Sequence, residues 1–316
     1  MSEQDANDAS TRTVVIAVVV NVAITFAKAI AAALTGSAAL WAETAHSLAD
    51  TGNEVLLYVG LRRSGRPPDA RHPYGYGQER WFWAFLAALG IFVVGGVFSI
   101  LEGLEAIWRP RVLGSVPIGV AVLVISIVLE AVSWRTARAQ LRAEARIRHR
   151  SLAAHLRHAS DPTAATVFLE DTAALVGLSL ALIAILLHWL TGWEGWDAGA
   201  SMLIGVLLVG VAFLIARRTK GLLIDESAPA DVLDRLRARI DAETWVLEID
   251  ALTAVYVGPG RLLVTAHLQP TMDMVRRPAR DLMERVRLLR GDLCSSDVIG
   301  DAEITLVPGP RRLPAG

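Results

Sequence analysis

The chain has 316 residues, 53% hydrophobic and 20% charged, with a mean hydropathy of +0.43. That is too apolar for a soluble domain of this length and points to an integral membrane protein. The net charge of −1 argues against nucleic acid as a partner, and the single cysteine, Cys294, excludes an internal disulfide and a multi-cysteine zinc knuckle.

The opening MSEQDANDASTRT is acidic and polar, unlike the basic start of a signal peptide. Residues 1–12 are therefore expected to be a disordered cytoplasmic N-terminus, and the first hydrophobic segment a retained membrane helix. Six segments are long and apolar enough for about 30 Å of hydrocarbon: Thr13–Leu34, Ala38–Leu61, Trp81–Ile107, Ser115–Trp134, Thr166–Leu190 and Trp196–Ala216. Trp81, Phe82 and Trp83 read as an aromatic belt, with Trp108, Trp189, Trp193 and Trp196 at the opposite surface. Arg62, Arg63, Arg66, Arg71 and Arg80 follow the second segment. Seven arginines from Arg135 to Arg157 follow the fourth, and Arg217, Arg218 and Lys220 follow the sixth. The alternate loops hold only Arg109 and Arg111, a bias that places both termini in the cytoplasm.

Beyond Lys220 the composition changes. Helical spacing over Asp231–Glu243 and Met274–Arg290, with strand patterns at Trp245–Val257, Leu262–Leu268 and Glu303–Val307, predicts an α-β-β-α-β order. The expected fold is thus an all-α six-helix transmembrane bundle (13–220) followed by a small cytoplasmic α+β domain (221–307) with helices on one face of its sheet. Residues 308–316, rich in Pro and Gly, are expected to be a disordered tail.

Ionisable residues lie inside these spans. An ionised group at the bilayer centre costs roughly 2.5–3.5 kcal/mol on insertion scales, so such groups face one another, a water-filled path or an ion. His46 and Asp50 are four residues apart and share one helix face, where both can reach a single ion. Glu43 and Asn53 extend that stripe. In the fifth span Asp171 is the better-placed acid, with Glu170 rotated about 100° from it. One imidazole with two or three carboxylates suits zinc, and also manganese, cobalt or ferrous iron. The competing reading, an acid neutralised by Lys28 with help from Asn21, accounts for one carboxylate and leaves the rest unpaired.

HSLAD in the second span, HPYGYGQERWFWAF leading into the third, DPTAATVFLEDTAALVG in the fifth and LLIDESAP after the sixth resemble the cation diffusion facilitator family. The resemblance runs from about Thr13 to Val307, and FLEDTAA is most similar to the branch that includes mammalian zinc transporter 9 and its bacterial relatives. It implies a homodimeric secondary transporter rather than an enzyme, in the cell membrane, exporting a divalent metal, usually zinc, against protons. It implies no tightly bound cofactor and no catalytic residues.

In the family pattern the second and fifth helices each supply two ligands four residues apart. His46, Asp50 and Asp171 match three of them; the fourth falls on Val167, which cannot bind metal, and Glu170 is the expected replacement. A second family site, in the loop before the third helix, retains Asp69 and His72 but has Tyr76 at its third position. His267 matches a further ligand position in the carboxyl-terminal domain, but the preferred reading is a strand-surface histidine sharing a face with Leu263 and Thr265. His149, His155 and His158 form a thin His-containing loop. His188 reads as interfacial, and Glu102, Glu105 and Glu130 as acids near span ends that reach the headgroups. Two rival readings are a metal-binding scaffold that has lost turnover, favoured by Val167, and a membrane metallohydrolase, disfavoured by the lack of an HExxH pair.

Overall fold

Gly36, at φ +74°, closes the first described helix by donating its N–H to Ala32 O, and the chain turns at once into the second. In the computed structural model, which describes residues 21–109, 114–147, 151, 163–295 and 299–307, these helices are α1 (Asn21–Thr35) and α2 (Ala38–Ser64). The N-terminus of α2 is capped twice. Ser37 Oγ accepts from the Leu40 N–H, and Asp197, distant in sequence, accepts from the Ser37 hydroxyl and the Ala38 N–H at 2.5 Å each.

There follow α3 (Glu79–Trp108), α4 (Val116–Ile147), α5 (Thr163–Thr191) and α6 (Gly195–Leu223). Among the described residues these four helices are long and apolar enough to cross a membrane. The described part of α1 is a shorter apolar helix, and Thr13–Val20 of the expected first span lie outside the described residues. α2 has the length but carries Glu43, His46, Asp50 and Glu54. Outward-facing Phe26, Ile125, Leu203 and Phe213 are each more than half exposed, as suits side chains that meet lipid rather than water.

α3 contains a π-helical stretch, Ile91–Val97. There its backbone comes close to α6: a Cβ on Gly205 would fall 2.8 Å from Gly96 O, and the Ser201 hydroxyl donates to Ser99 O at 2.8 Å. Small residues on both helices make this approach possible.

Among the described residues, 21–63 with 79–220 form one unit, and 64–78 with those from Gly221 onward form a second. The second contains α7 (Ala230–Asp241), β1 (Val246–Gly258), β2 (Arg261–Pro270), the short α8 (Met272–Val275), α9 (Ala279–Cys294) and β3 (Ile299–Leu306). The sheet order is β1-β2-β3, with β1 antiparallel and β3 parallel to β2. A parallel partner needs a crossover, which α9 supplies. Leu262, Val264, Ala266 and Leu268 on one face of β2 form a core with Leu236 and Ile240 of α7 and Leu289 and Leu293 of α9. Within this unit the loop 64–78 meets the β-hairpin at Gly77, where a Cβ would come within 2.6 Å of the Gly258 backbone.

Three expected boundaries move. α4 continues past Trp134 to Ile147, because Leu141 and Ala145 on the arginine-bearing stretch are buried. The helix expected over Met274–Arg290 breaks before α9, where Pro278 stands as N-cap. β3 begins at Ile299 rather than Glu303. Residues 1–12, 308–316, His149, His155 and His158 lie outside the described residues.

Candidate metal centre

The polar stripe of α2 divides into partners with different tasks. Glu43 is fully buried and paired with the equally buried Lys28 of α1, Nζ to Oε2 at 3.3 Å; the same ammonium donates to Ser47 Oγ at 2.7 Å. Seven residues earlier on α1, Asn21 donates to Glu54 Oε1 at 2.7 Å. Lys28 thus gives its described hydrogen bonds to Glu43 and Ser47 rather than to Asp50 or Asp171. Asn53 donates to both carboxylate oxygens of Glu170, drawing that side chain into the α2–α5 interface. Glu170 is accordingly the more buried of the two neighbouring acids, 6% exposed, whereas Asp171 is half-buried.

His46 is 1% exposed, and neither ring nitrogen has a hydrogen-bond partner among the described residues. Its Nε2 points at Asp50 Oδ2, 3.5 Å away, as the four-residue spacing on one helix face predicts. Asp50 opens on a cavity of about 330 Å³ enclosed by α1, α2, α4 and α5. Glu170 and Asp171 reach the same cavity, and so does Val167, whose aliphatic side chain offers nothing to a cation. Asp171 is steadied from α4 by the Ser133 hydroxyl, which donates to its Oδ2 at 3.0 Å. One residue further on α5, Trp134 Nε1 donates to Thr172 Oγ1 at 3.0 Å.

Asp50, Glu170 and Asp171 therefore share one space, and His46 meets it through Asp50. Among the described residues no three His, Cys, Asp or Glu side chains stand close enough to grip an ion as placed. Two acids that the sequence did not assign here, Glu54 and Glu130, also line the cavity. Glu130 was expected near a span end; with α4 continuing to Ile147 it lies close to mid-helix. Its signal was available in the three-residue spacing of Glu130 and Ser133 on one helical face.

The secondary positions are otherwise occupied. Asp69 Oδ1 accepts from the backbone N–H of Arg71 and His72, and Oδ2 from the Tyr76 hydroxyl, at 2.8–2.9 Å. These bonds, led by that from His72, hold the Asp69 carboxyl below its ordinary range and raise the Tyr76 hydroxyl above its own. The group closes a turn. His267 lies on central β2 opposite Ala251 and Thr305, on the sheet face away from the core. His188 is buried, 9% exposed.

The model of the cation efflux transmembrane domain matches residues 14–224, about two thirds of the chain. The chain belongs to the cation efflux family. It is a membrane protein of a family of transporters, not enzymes. It is 32% identical over 258 residues to the mitochondrial proton-coupled zinc antiporter SLC30A9 of Xenopus laevis, covering 81% of this chain and 46% of that protein. The human protein of the same name matches at 32%, with 45% of it covered. The zinc transporter ZitB of Yersinia pestis is 27% identical over 276 residues, covering 85% of this chain and 81% of the relative. The chain spans about half the length of the SLC30A9 relatives it matches.

Proposed function

We propose that this protein transports a divalent metal cation, most simply zinc, out of the cytoplasm in exchange for protons, and that His46, Asp50 and Asp171 take the ion, with Glu170 beside them. The observation that carries this reading is the shared cavity: Asp50, Glu170 and Asp171 open on one space, with the unpartnered His46 3.5 Å from Asp50. The names of the relatives support zinc and proton coupling, and the imidazole-plus-carboxylate set suits zinc. In this reading α1–α6 all cross the bilayer, both termini are cytoplasmic, the protein resides in the cell membrane, and the second unit joins two copies into a homodimer.

The chemistry follows from the ligands. Imidazole and carboxylates bind a cation only when deprotonated, so loading releases protons and reprotonation from the far side releases the cation. Because the side chains stand apart, binding must draw α2 and α5 together, which couples occupancy to conformation. Reconstituted protein should accumulate zinc in proteoliposomes when the lumen is the more acidic side, so that protons leave as zinc enters, with Asp50→Ala and Asp171→Ala each losing at least 90% of the rate while still folding. Wild-type uptake that is indifferent to the gradient would remove the proton coupling, and either variant transporting at full rate would remove the site.

A further inference from the structure

Resting on that reading, we propose that Glu130 of α4 supplies the protein ligand that Val167 cannot, so that the cation site is built from three helices rather than two.

Four observations meet at this residue. Val167 lines the cavity at the position where a donor is missing. Glu170, the nearest candidate in sequence, is tethered through both oxygens by Asn53. Glu54 is likewise held by Asn21. Glu130 opens on the same cavity as Asp50 and Asp171, and Ser133, three residues on, reaches the Asp171 carboxylate at 3.0 Å. One helix face therefore presents a carboxylate to the cavity and fixes the acid opposite it.

Charge makes the same demand. Five carboxylates line the space, from Asp50, Glu54, Glu130, Glu170 and Asp171, and among the described residues no lysine or arginine does. Lys28 of α1 is bound to Glu43. Such a set inside a membrane segment holds cations or protons. His46, whose Nε2 lies 3.5 Å from Asp50 Oδ2 without a hydrogen bond, adds the neutral donor that zinc favours. With Glu130 included, one imidazole and three carboxylates from α2, α4 and α5 reach the four-coordinate set that the two-helix pattern lacks here. An oxygen-rich site of this kind also admits manganese, so Glu130 sets how far zinc is preferred.

The test measures zinc and manganese binding calorimetrically to the full chain in detergent, with transport in proteoliposomes as a second readout. Glu130→Gln should weaken zinc at least tenfold with its melting temperature unchanged. Adding Val167→His to Glu130→Gln should restore zinc but not manganese, since the imidazole lies four residues before Asp171. Should Glu130→Gln fail to fold, Glu130→His keeps a donor and is expected to retain zinc and lose manganese. Zinc affinity within twofold of wild type in Glu130→Gln, or an unchanged zinc-to-manganese ratio in Glu130→His, overturns the proposal. If Asp171→Ala still loses binding in the same series, only Glu130 is excluded. If wild type and Asp171→Ala bind alike, the transport reading itself falls.

Discussion

Lys28 and Glu43 are both fully buried and face each other across the α1–α2 hairpin at 3.3 Å. The pair separates structure from chemistry in a crowded stripe, for it neutralises the acid nearest the α2 N-terminus and leaves the acids below it free for cations. Breaking a buried pair strands a charge, whereas replacing both partners does not. Lys28→Met should therefore destabilise the bundle by about 3–5 kcal/mol, and Lys28→Met with Glu43→Gln should recover most of that loss. Thermal unfolding of the three proteins in detergent checks it. A double variant no more stable than the single one would show that Lys28 acts through packing or Ser47 rather than through Glu43.

The approach of α3 to α6 predicts a steric effect of a different kind. A Cβ at Gly205 would meet Gly96 O at 2.8 Å and the Ile100 side chain at 2.6 Å. Gly205→Val is expected to force the helices apart, cutting folded yield severely, whereas Gly199→Ala, where a Cβ has open space, should be silent. Size-exclusion profiles and melting temperatures of the two variants decide it. An unperturbed Gly205→Val would mean that the crossing is looser than drawn.

Much of this architecture was legible from spacing alone. Period-3.6 apolar patterns located α7 and α9, and the four-residue step from His46 to Asp50 placed both on one face of α2. The fourth span is misread for a simple reason: hydropathy stops at the first arginine, but a helix does not. A span taken to Trp134 put Glu130 towards its end, while α4 runs on to Ile147 and Glu130 lines the cavity. Pairing was illegible for a further reason. Sequence names Lys28, helped by Asn21, as the partner of one buried acid and leaves Asn53 on the polar stripe; only the packing of α1 and α5 against α2 assigns Glu43 to Lys28, Glu54 to Asn21 and Glu170 to Asn53. Asp197, which caps α2 from α6, leaves no local trace.

The topology of the proposed transporter makes a labelling prediction. In a Cys294→Ser background, a cysteine at the exposed Ala143 should react with an impermeant reagent only from the cytoplasmic side, and one at Glu194 only from outside, as the arginine bias requires. Intact cells and inverted vesicles give the two accesses. Labelling at Ala143 from outside would invert the orientation and with it the direction of export.

In the second unit, Arg290 of α9 donates from Nη2 to Asp301 Oδ1 of β3 at 2.8 Å, tying the crossover helix to the strand it leads into. This bond, more than any other influence, holds the Asp301 carboxyl below its ordinary range, and it raises the Arg290 guanidinium in turn. A carboxyl depressed in the folded state contributes stability that is complete above its unfolded value of about 4 and is lost as pH falls through the lower folded value. Both side chains are substantially exposed, so salt screens the pair and its contribution is small. Asp301→Asn in the full chain should therefore melt slightly below wild type at pH 7. The gap should narrow below about pH 4 and at high salt, since protonation leaves wild type without the charge that the variant already lacks. Melting curves from pH 3 to 8 at two salt concentrations test this. A gap that persists unchanged at pH 3 would assign the effect to disturbed packing along β3 rather than to the ion pair.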